Sequence, residues 1–494
     1  MEKLSINSKY NQYSIYNRLS SDRNIRREPV KCGGNNMRSC DTMIAMNKAT
    51  SDGNVIFGKN SDRPLNEAQP LCFFPAADHM EGEEVQCSFI RIPQVKHTYA
   101  CIGSKPHVFF GFEHGVNEHG VMIGNEQVSG REAPERRWGL IGMDILRLAL
   151  ERANTAGKAV EVIANLLESF GTGGDPNTRI RPFNSNYIIA DSKEAYIFES
   201  HQRSWVAKRV DNVGYISNCY SIQENYDLIS SNAVNEAKIK GWLHPDEEKF
   251  NPAKAWTIDN LLYGEAEGFM RYARLGKLME SREPFTVKMM MNNLRDHYDD
   301  EPLCQTIFSK AASKIPTICS HPGGINGCVT AASAVTVLRS DVPEELRFTY
   351  WSSMAPPCCS VFRPFYNIGW LPEEIQNAHA IYEEKEHWWI FTELERYVEL
   401  NYEKFAPKVK ETFNEMENRF IEEATYIERN YTGNRAVLME FSKRTAGESY
   451  NAARNLINDI KSKLKTRDLD RMLLSYFREA AATCGMPYDK ELIE

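Results

Sequence analysis

The chain has 494 residues, 42% of them hydrophobic and 26% charged, proportions ordinary for a globular protein able to bury a large core. Its net charge of −8 speaks against a general binder of nucleic acid or anionic membrane, both of which need basic patches. No apolar run approaches the ~20 residues of a membrane-spanning helix, and the twelve irregularly spaced cysteines, with Cys358 and Cys359 adjacent, suit reduced thiols in a cytoplasmic protein better than a disulfide scaffold.

Residues 1–39 are rich in Asn, Ser, Arg and Lys, with Tyr10, Tyr13, Ile15 and Tyr16 scattered among them. They contain no apolar core of a secretory signal. Two readings stand: a disordered tail, or a propeptide ending at Ser39. At Cys40 an alternating apolar and polar run begins, which predicts a strand. A tight turn at Ser51-Asp52-Gly53-Asn54 returns the chain as a second strand over 55–58, delivering Lys59, Asn60, Asp62 and Arg63 to one end of the hairpin. A thiol surrounded by a carboxylate, an amide and two cations is a set suited to nucleophilic chemistry.

Further strands are expected over 87–92, 99–103 and 108–112, and a short apolar strand ends at Gly124-Asn125-Glu126. Two helices follow. The first spans 141–153. The second is capped by Thr155 and carries Val160, Ile163, Leu167 and Phe170 on one face. The glycine-rich Gly171 to Gly174 lacks the strand-before, helix-after setting of a phosphate loop and reads as a helix stop. A second run of strands, 187–190, 195–199, 205–210 and 213–217, reads as a meander ending at Asn218. Segment 220–300 is mainly helical, with 287–297 the clearest helix, and strands return at 331–338 and 346–351. Paired hairpin layers flanked by helices predict an α+β fold, a four-layer αββα sandwich with the nucleophile on its first strand. From residue 371 onward Glu, Lys, Tyr and Trp dominate, and Val409, Phe413, Met416 and Phe420 recur at helical spacing. We therefore expect an extension at 1–39, a sandwich domain at 40–370 and a helical region at 371–494, packed on the sandwich or on a partner subunit of a homo-oligomer.

The chemistry favours a cysteine freed at a chain terminus. Its α-amine, with an ordinary pKa near 8, can take the thiol proton and later protonate a leaving amine, with no histidine involved. A carboxylate such as Asp62 can hold that amine, a cation such as Lys59 or Arg63 favours the thiolate, and amide side chains at strand ends suit an oxyanion. Asn125 and Asn218 each end a predicted strand.

The motifs Cys40-Asp41-Thr42, Gly58-Lys-Asn-Ser-Asp-Arg-Pro64, Asn117 to Glu126, Gly142-Met-Asp-Ile-Leu-Arg-Leu148, Glu194 to Glu199 with Trp205, Ile216-Ser-Asn218, Met290 to Asp296 and Pro357 to Pro364 occur in this order along the chain. In this they resemble the secernins and the related bacterial dipeptidases, which belong with the choloylglycine-hydrolase-like N-terminal nucleophile amidohydrolases. The resemblance covers residues 40 to about 370. It implies the αββα sandwich, Cys40 as nucleophile, and catalytic roles for Asp62 and Asn218. It places the family's basic position on Lys59, and its oxyanion asparagine near Asn125 or, by an offset, Gln127. It implies no cofactor and no metal, and a small peptide or amide as substrate. Many relatives carry the cysteine directly after the initiator methionine, whereas here Ser39 precedes it, so exposure requires proteolysis, with Cys40 itself attacking the Ser39 carbonyl.

His321, in Ser320-His-Pro-Gly-Gly324, matches a family motif and is a candidate for the substrate pocket, along with Lys59 and Arg63; a structural loop histidine is the other reading. Glu113-His114 and Glu118-His119 repeat a Glu-His-Gly unit, without further ligands at metal-site spacing. Cys358-Cys359 reads as loop packing, because adjacent cysteines bridge only with strain. Two functions remain open: a cysteine dipeptidase acting through a thioester, or a secernin-like interaction protein whose N-terminus stays unprocessed.

Overall fold

The computed structural model describes residues 40–134, 137–174, 182–244, 246–247, 249–258, 263–301, 316–321, 328–465 and 471–487. The expected extension over 1–39, its junction with Cys40 and residues 322–324 lie outside them. The first hairpin forms as its residues dictate. Strand β1 (Cys40–Ala45) and strand β2 (Val55–Pro64) pair antiparallel, with Cys40 opposite Ser61 and Thr42 opposite Lys59. The Asp52 carboxylate accepts the Asn54 N–H in the turn, and Gly53 takes φ +74°, a region closed to most residues with a Cβ.

Two antiparallel sheets face each other. The first has six strands in the order Val213–Ile216, β1, β2, Cys328–Leu338, Phe348–Met354, Arg363–Tyr366. The second has eight strands: Leu228–Ile229, Ser204–Arg209, Ala195–His201, Asn184–Ala190, Met122–Val128, His114–Asn117, Cys101–Ser104 and Leu71–Phe74. Helices Gly142–Arg152 and Ala156–Phe170 cover the outer face of the second sheet, burying Ile145, Leu148, Ile163 and Leu167 against Ile189 and Phe198. The Thr155 side chain caps the second of these helices, and the Gly171 N–H returns to the Leu167 carbonyl at its end. Helices Tyr263–Met279 and Val287–Leu294 cover the outer face of the first sheet. The order is helix, sheet, sheet, helix.

Beyond residue 371 the helix Glu373–Gln376 packs on Leu71–Phe74 of the second sheet, the helices His387–Glu399, Tyr402–Arg429 and Arg435–Lys463 gather at the far edge of the first sheet, and Arg471–Cys484 packs on His387–Glu399. One continuous core runs from Met43, Phe57 and Met290 through Phe365 to Trp388, Val409 and Leu456. Each such side chain contributes about 1.5–3 kcal/mol on burial, so the change of composition at 371 marks a change of layer with no gap in the core. No helix among the described residues is long and apolar enough to cross a membrane.

Four details depart from the sequence expectation. Residues 87–92 form no single strand. Glu84–Gln86 and Arg91–Pro93 make a small hairpin, with 87–90 as its turn. Residues 108–112 are a turn-rich segment whose aromatic rings are spent on packing: Phe109 buries with Ile141 and Met143, while Phe112 enters the core beside Ile145. The helix expected over 287–297 stops at Leu294, which leaves Asp296 and His297 beyond its end. Finally, Val213–Ile216 leaves the meander and pairs with β1 in the other sheet, Ile216 opposite Thr42. That crossing brings Asn218 to Cys40.

A bulge interrupts the ladder between β2 and Cys328–Leu338. Thr330 pairs with Asp62 and Ala332 with Ser61, so Ala331 is left over. Its carbonyl accepts instead from the Ala355 N–H and from Trp388 Nε1, each at 2.9 Å.

Candidate active site

Alternation along the first two strands sorts their side chains between two faces. Thr42 and Lys59 face the second sheet, where both reach Glu126; the Lys59 Nζ to Glu126 Oε1 distance is 3.2 Å. Asp41 faces the outer helices and meets Arg271. Gly124 lets the sheets close in here: a Cβ on it would stand 3.0 Å from Lys59 Cδ and 3.2 Å from Thr42 Oγ1.

Cys40 sits at the end of this layer. Its N–H donates to Asn218 Oδ1 at 2.8 Å, and its Sγ accepts the Asp62 N–H at 3.4 Å. Asn218 Nδ2 donates to the Gln127 carbonyl at 2.7 Å, so one amide side chain spans both sheets. Arg271, from helix Tyr263–Met279, closes the constellation. It donates through Nη1 to Cys40 O at 3.1 Å and Asp41 Oδ1 at 2.8 Å, and through Nη2 to Asn218 Oδ1 at 2.7 Å. The Asp62 carboxylate accepts from Thr330 Oγ1 at 2.6 Å. All of these residues except the half-buried Gln127 are buried.

Burial governs the electrostatics. It pushes the Cys40 thiol up to about 12, against the opposing pull of the Lys59 ammonium. Burial alone would lower Lys59, but the Cys40 and Glu126 charges more than offset it and hold the ammonium above its ordinary value. Burial raises Glu126 to about 7, again against Lys59.

The structure thus brings Cys40, Lys59, Asp62 and Asn218 together, and commits the other candidates to different partners. Asn125 lies on the opposite face of its strand from Glu126, and its Nδ2 donates to Glu113 Oε2 and Glu113 O, both at 2.9 Å. Gln127 contributes its backbone carbonyl, to Asn218. Arg63 is buried and ion-paired with Glu67 and Glu113. His321 is buried among His297, Cys319, Cys358 and Glu399. The two Glu-His units do not converge. His114 Nδ1 meets the Tyr350 hydroxyl at 2.6 Å, His119 packs edge-on to Tyr99, and neither joins a group of three ligand atoms among the described residues.

Sequence reasoning missed Arg271, Glu126, Thr42 and Thr330. Glu126 was accessible: the strand period puts it with Gly124, and opposite in sense to Asn125. Arg271 and Thr330 carried no such signal, because each becomes a site residue only through contacts made more than 230 positions away from Cys40 or Asp62.

The profile of peptidase family C69 matches residues 39–237 and 220–415. Over 376 residues the chain is 24% identical to a probable dipeptidase of Salmonella dublin, covering 66% of this chain and 81% of that protein. It is 26% identical over 229 residues to a dipeptidase of Bifidobacterium longum, covering 41% of each. Among solved structures it is similar to a conjugated bile acid hydrolase from Clostridium perfringens, at 12% identity and TM-score 0.32, over 64% of this chain and 89% of that one. It is also similar to penicillin V acylase from Agrobacterium tumefaciens, at 12% identity and TM-score 0.33, over 66% and 85%. The family match spans well over half the sequence, with Cys40 and every residue that touches it inside the matched range: the chain belongs to peptidase family C69.

Proposed function

We propose that the chain is a dipeptidase, hydrolysing dipeptides or small linear amides with Cys40 as an N-terminal nucleophile. The observation that carries the reading is the Cys40 nitrogen held at 2.8 Å by Asn218 Oδ1 while its Sγ lies against Asp62. Cleavage of the bond before Cys40 turns that nitrogen into an amine already seated beside its own thiol. The amine then accepts the thiol proton, and the thiolate attacks the substrate carbonyl carbon. The resulting tetrahedral intermediate collapses as the amine protonates the departing amino group, leaving a thioester on Cys40. Water, deprotonated by the same amine, hydrolyses the thioester and restores the thiol. Asn218 and Asp62 orient the amine, and Lys59 favours the thiolate.

Maturation uses the same thiol without a free amine, the thiol proton passing to the Cys40 nitrogen as its bond to Ser39 breaks. Cys40 Sγ attacks the Ser39 carbonyl, the acyl group moves from nitrogen to sulfur, and water cleaves the thioester to free the extension. Before that step the thiol is buried, raised to about 12 and without an amine base, so the unprocessed chain is latent. Asn125 has its polar groups committed to Glu113, and Arg63 to Glu113 and Glu67, so neither contacts the substrate in this reading.

The test is intact mass and N-terminal sequencing of the purified chain, followed by dipeptide turnover. Wild type should begin at Cys40 and turn substrate over, and Cys40→Ala should do neither. Turnover by Cys40→Ala, or by a chain that still carries residues 1–39, overturns the proposal.

A further inference from the structure

A second buried cluster lies outside the constellation around Cys40. His297 follows helix Val287–Leu294, Cys319 and His321 flank Ser320 ahead of strand Cys328–Leu338, and Cys358 sits in the turn Pro357–Cys359. Their exposures are 2%, 0%, 7% and 2%, and one ligand atom from each lies within 4.8 Å of all the others. His321 Nε2 is the focus: His297 Nε2 stands 3.1 Å from it, Cys358 Sγ 3.2 Å and Cys319 Sγ 3.6 Å.

Hydrogen bonding cannot account for this convergence. An imidazole nitrogen offers either one N–H or one lone pair, yet three donor-capable groups crowd the same atom. Two nitrogens and two sulfurs around a common centre are, however, a metal-ligand set. A tetrahedron with Zn–N and Zn–S bonds of about 2.0–2.3 Å has edges of about 3.3–3.8 Å, and the separations found here cluster around that range. The outer contacts agree. His321 Nδ1 is ion-paired with the Glu399 carboxylate, the support that a ligating histidine receives on its other ring nitrogen, and the Tyr402 hydroxyl donates to Cys358 Sγ at 3.3 Å.

We infer that His297, Cys319, His321 and Cys358 bind a structural zinc ion. Two imidazoles and two thiolates in a closed, four-coordinate site suit zinc, and they leave no open position for a substrate. The ion joins three stretches of the sandwich to one another, and through Glu399 and Tyr402 to the C-terminal helices. It also braces the candidate active site from behind. The Ser320 N–H, between two of the ligands, donates to Thr330 Oγ1 at 2.9 Å, and Thr330 Oγ1 donates to Asp62 Oδ1.

The experiment is metal analysis of the full-length, untagged chain purified without chelator, together with zinc-edge X-ray absorption on the same sample. The expected result is about one zinc per chain with a first shell of two nitrogens and two sulfurs, and loss of that zinc with a lowered melting temperature in Cys358→Ser. Cys359→Ser, altering a neighbouring thiol outside the ligand set, should keep its zinc. Because Cys358→Ser could fail to fold, the absorption spectrum of the wild type decides independently. Absence of bound metal in wild type, a first shell without sulfur, or a Cys319–Cys358 disulfide found by peptide mass overturns the inference.

Discussion

Replacing Arg271 by methionine removes the one cation that reaches Cys40 O, Asp41 and Asn218 together, while keeping most of the side chain's bulk. Arg271 and Asp41 are 1% and 0% exposed, so Asp41 would be left as a buried carboxylate facing methionine. Two outcomes compete. At 2.8 Å and an effective dielectric near 20, the lost attraction is about 6 kcal/mol. Keeping an ordinary aspartyl carboxyl neutral at pH 7 costs about 4 kcal/mol. The cheaper route wins, so the variant's carboxyl is protonated in the folded state and ionised in the unfolded one. The folded variant then binds more protons than the unfolded chain above pH 4, and stability falls as pH rises. The charge penalty should be about 4 kcal/mol at pH 7 and about 1.5 kcal/mol at pH 5. A further 3–6 kcal/mol, roughly, comes at either pH from the two lost hydrogen bonds that the charged guanidinium donates to the Cys40 and Asn218 oxygens. Urea titrations followed by tryptophan fluorescence measure both values, and adding Asp41→Asn should erase the pH-dependent part. Equal losses at pH 5 and pH 7 in the single variant would refute the charge-compensation argument.

Other perturbations probe the rest of the scaffold. Glu417 is fully buried and accepts from Arg295, Lys288 Nζ at 2.8 Å and the Phe362 N–H at 2.9 Å; burial raises its pKa, but the two cations more than offset this and hold it below the ordinary value. Its contribution is present above the unfolded carboxyl's pKa and lost as pH falls from there through the lower folded value, so Glu417→Gln should cost about 3–5 kcal/mol near pH 7 and flatten the acid limb of the stability curve. Gly111→Ala puts a methyl 2.1 Å from the Met143 backbone carbon, which cannot rotate away, and should lower stability by about 1–3 kcal/mol in thermal melts. In the chain that retains residues 1–39, iodoacetamide labelling of Cys40 should stay slow at pH 7. Lys59→Met should slow it further, about tenfold for each unit by which the thiol rises, and unchanged labelling would show that Lys59 does not act on the sulfur.

What could be read from the sequence followed the reach of local rules. The β1–β2 hairpin, the Thr155 cap and the helical faces of 160–170 and 409–420 depend on neighbours within a few residues, and they formed where period and capping place them. The run 108–112 misled because three phenylalanines in five residues carry strand propensity, whereas here they anchor a loop. The crossing of Val213–Ile216 into the other sheet is equally invisible locally, since alternation is the same whichever partner a strand finds. Cys40, Lys59, Asp62 and Asn218 were singled out by residue type and by the resemblance; Lys59 and Asp62 stand within β2, which runs to Pro64, and not beyond the strand end expected at 58. Arg271 was not, because an arginine in an amphipathic helix looks solvated until the fold buries it. The meeting of His297 with Cys358 escaped for a related reason: they lie 61 positions apart (358 − 297), and only the fold brings them within reach of each other.

The leftover residue in the ladder beside β2 has a consequence for timing. Ala331 is displaced at the step where Thr330 turns to Asp62, and its carbonyl is satisfied by Trp388, in a helix almost 350 positions after Cys40. A strand made among the first residues therefore acquires its second neighbour, Cys328–Leu338, only after about two thirds of the chain has been synthesised, and the bulge beside it is braced later still by Trp388. The surroundings of Cys40, which draw on Asn218, Arg271 and Thr330, are therefore assembled only after most of the chain has been made.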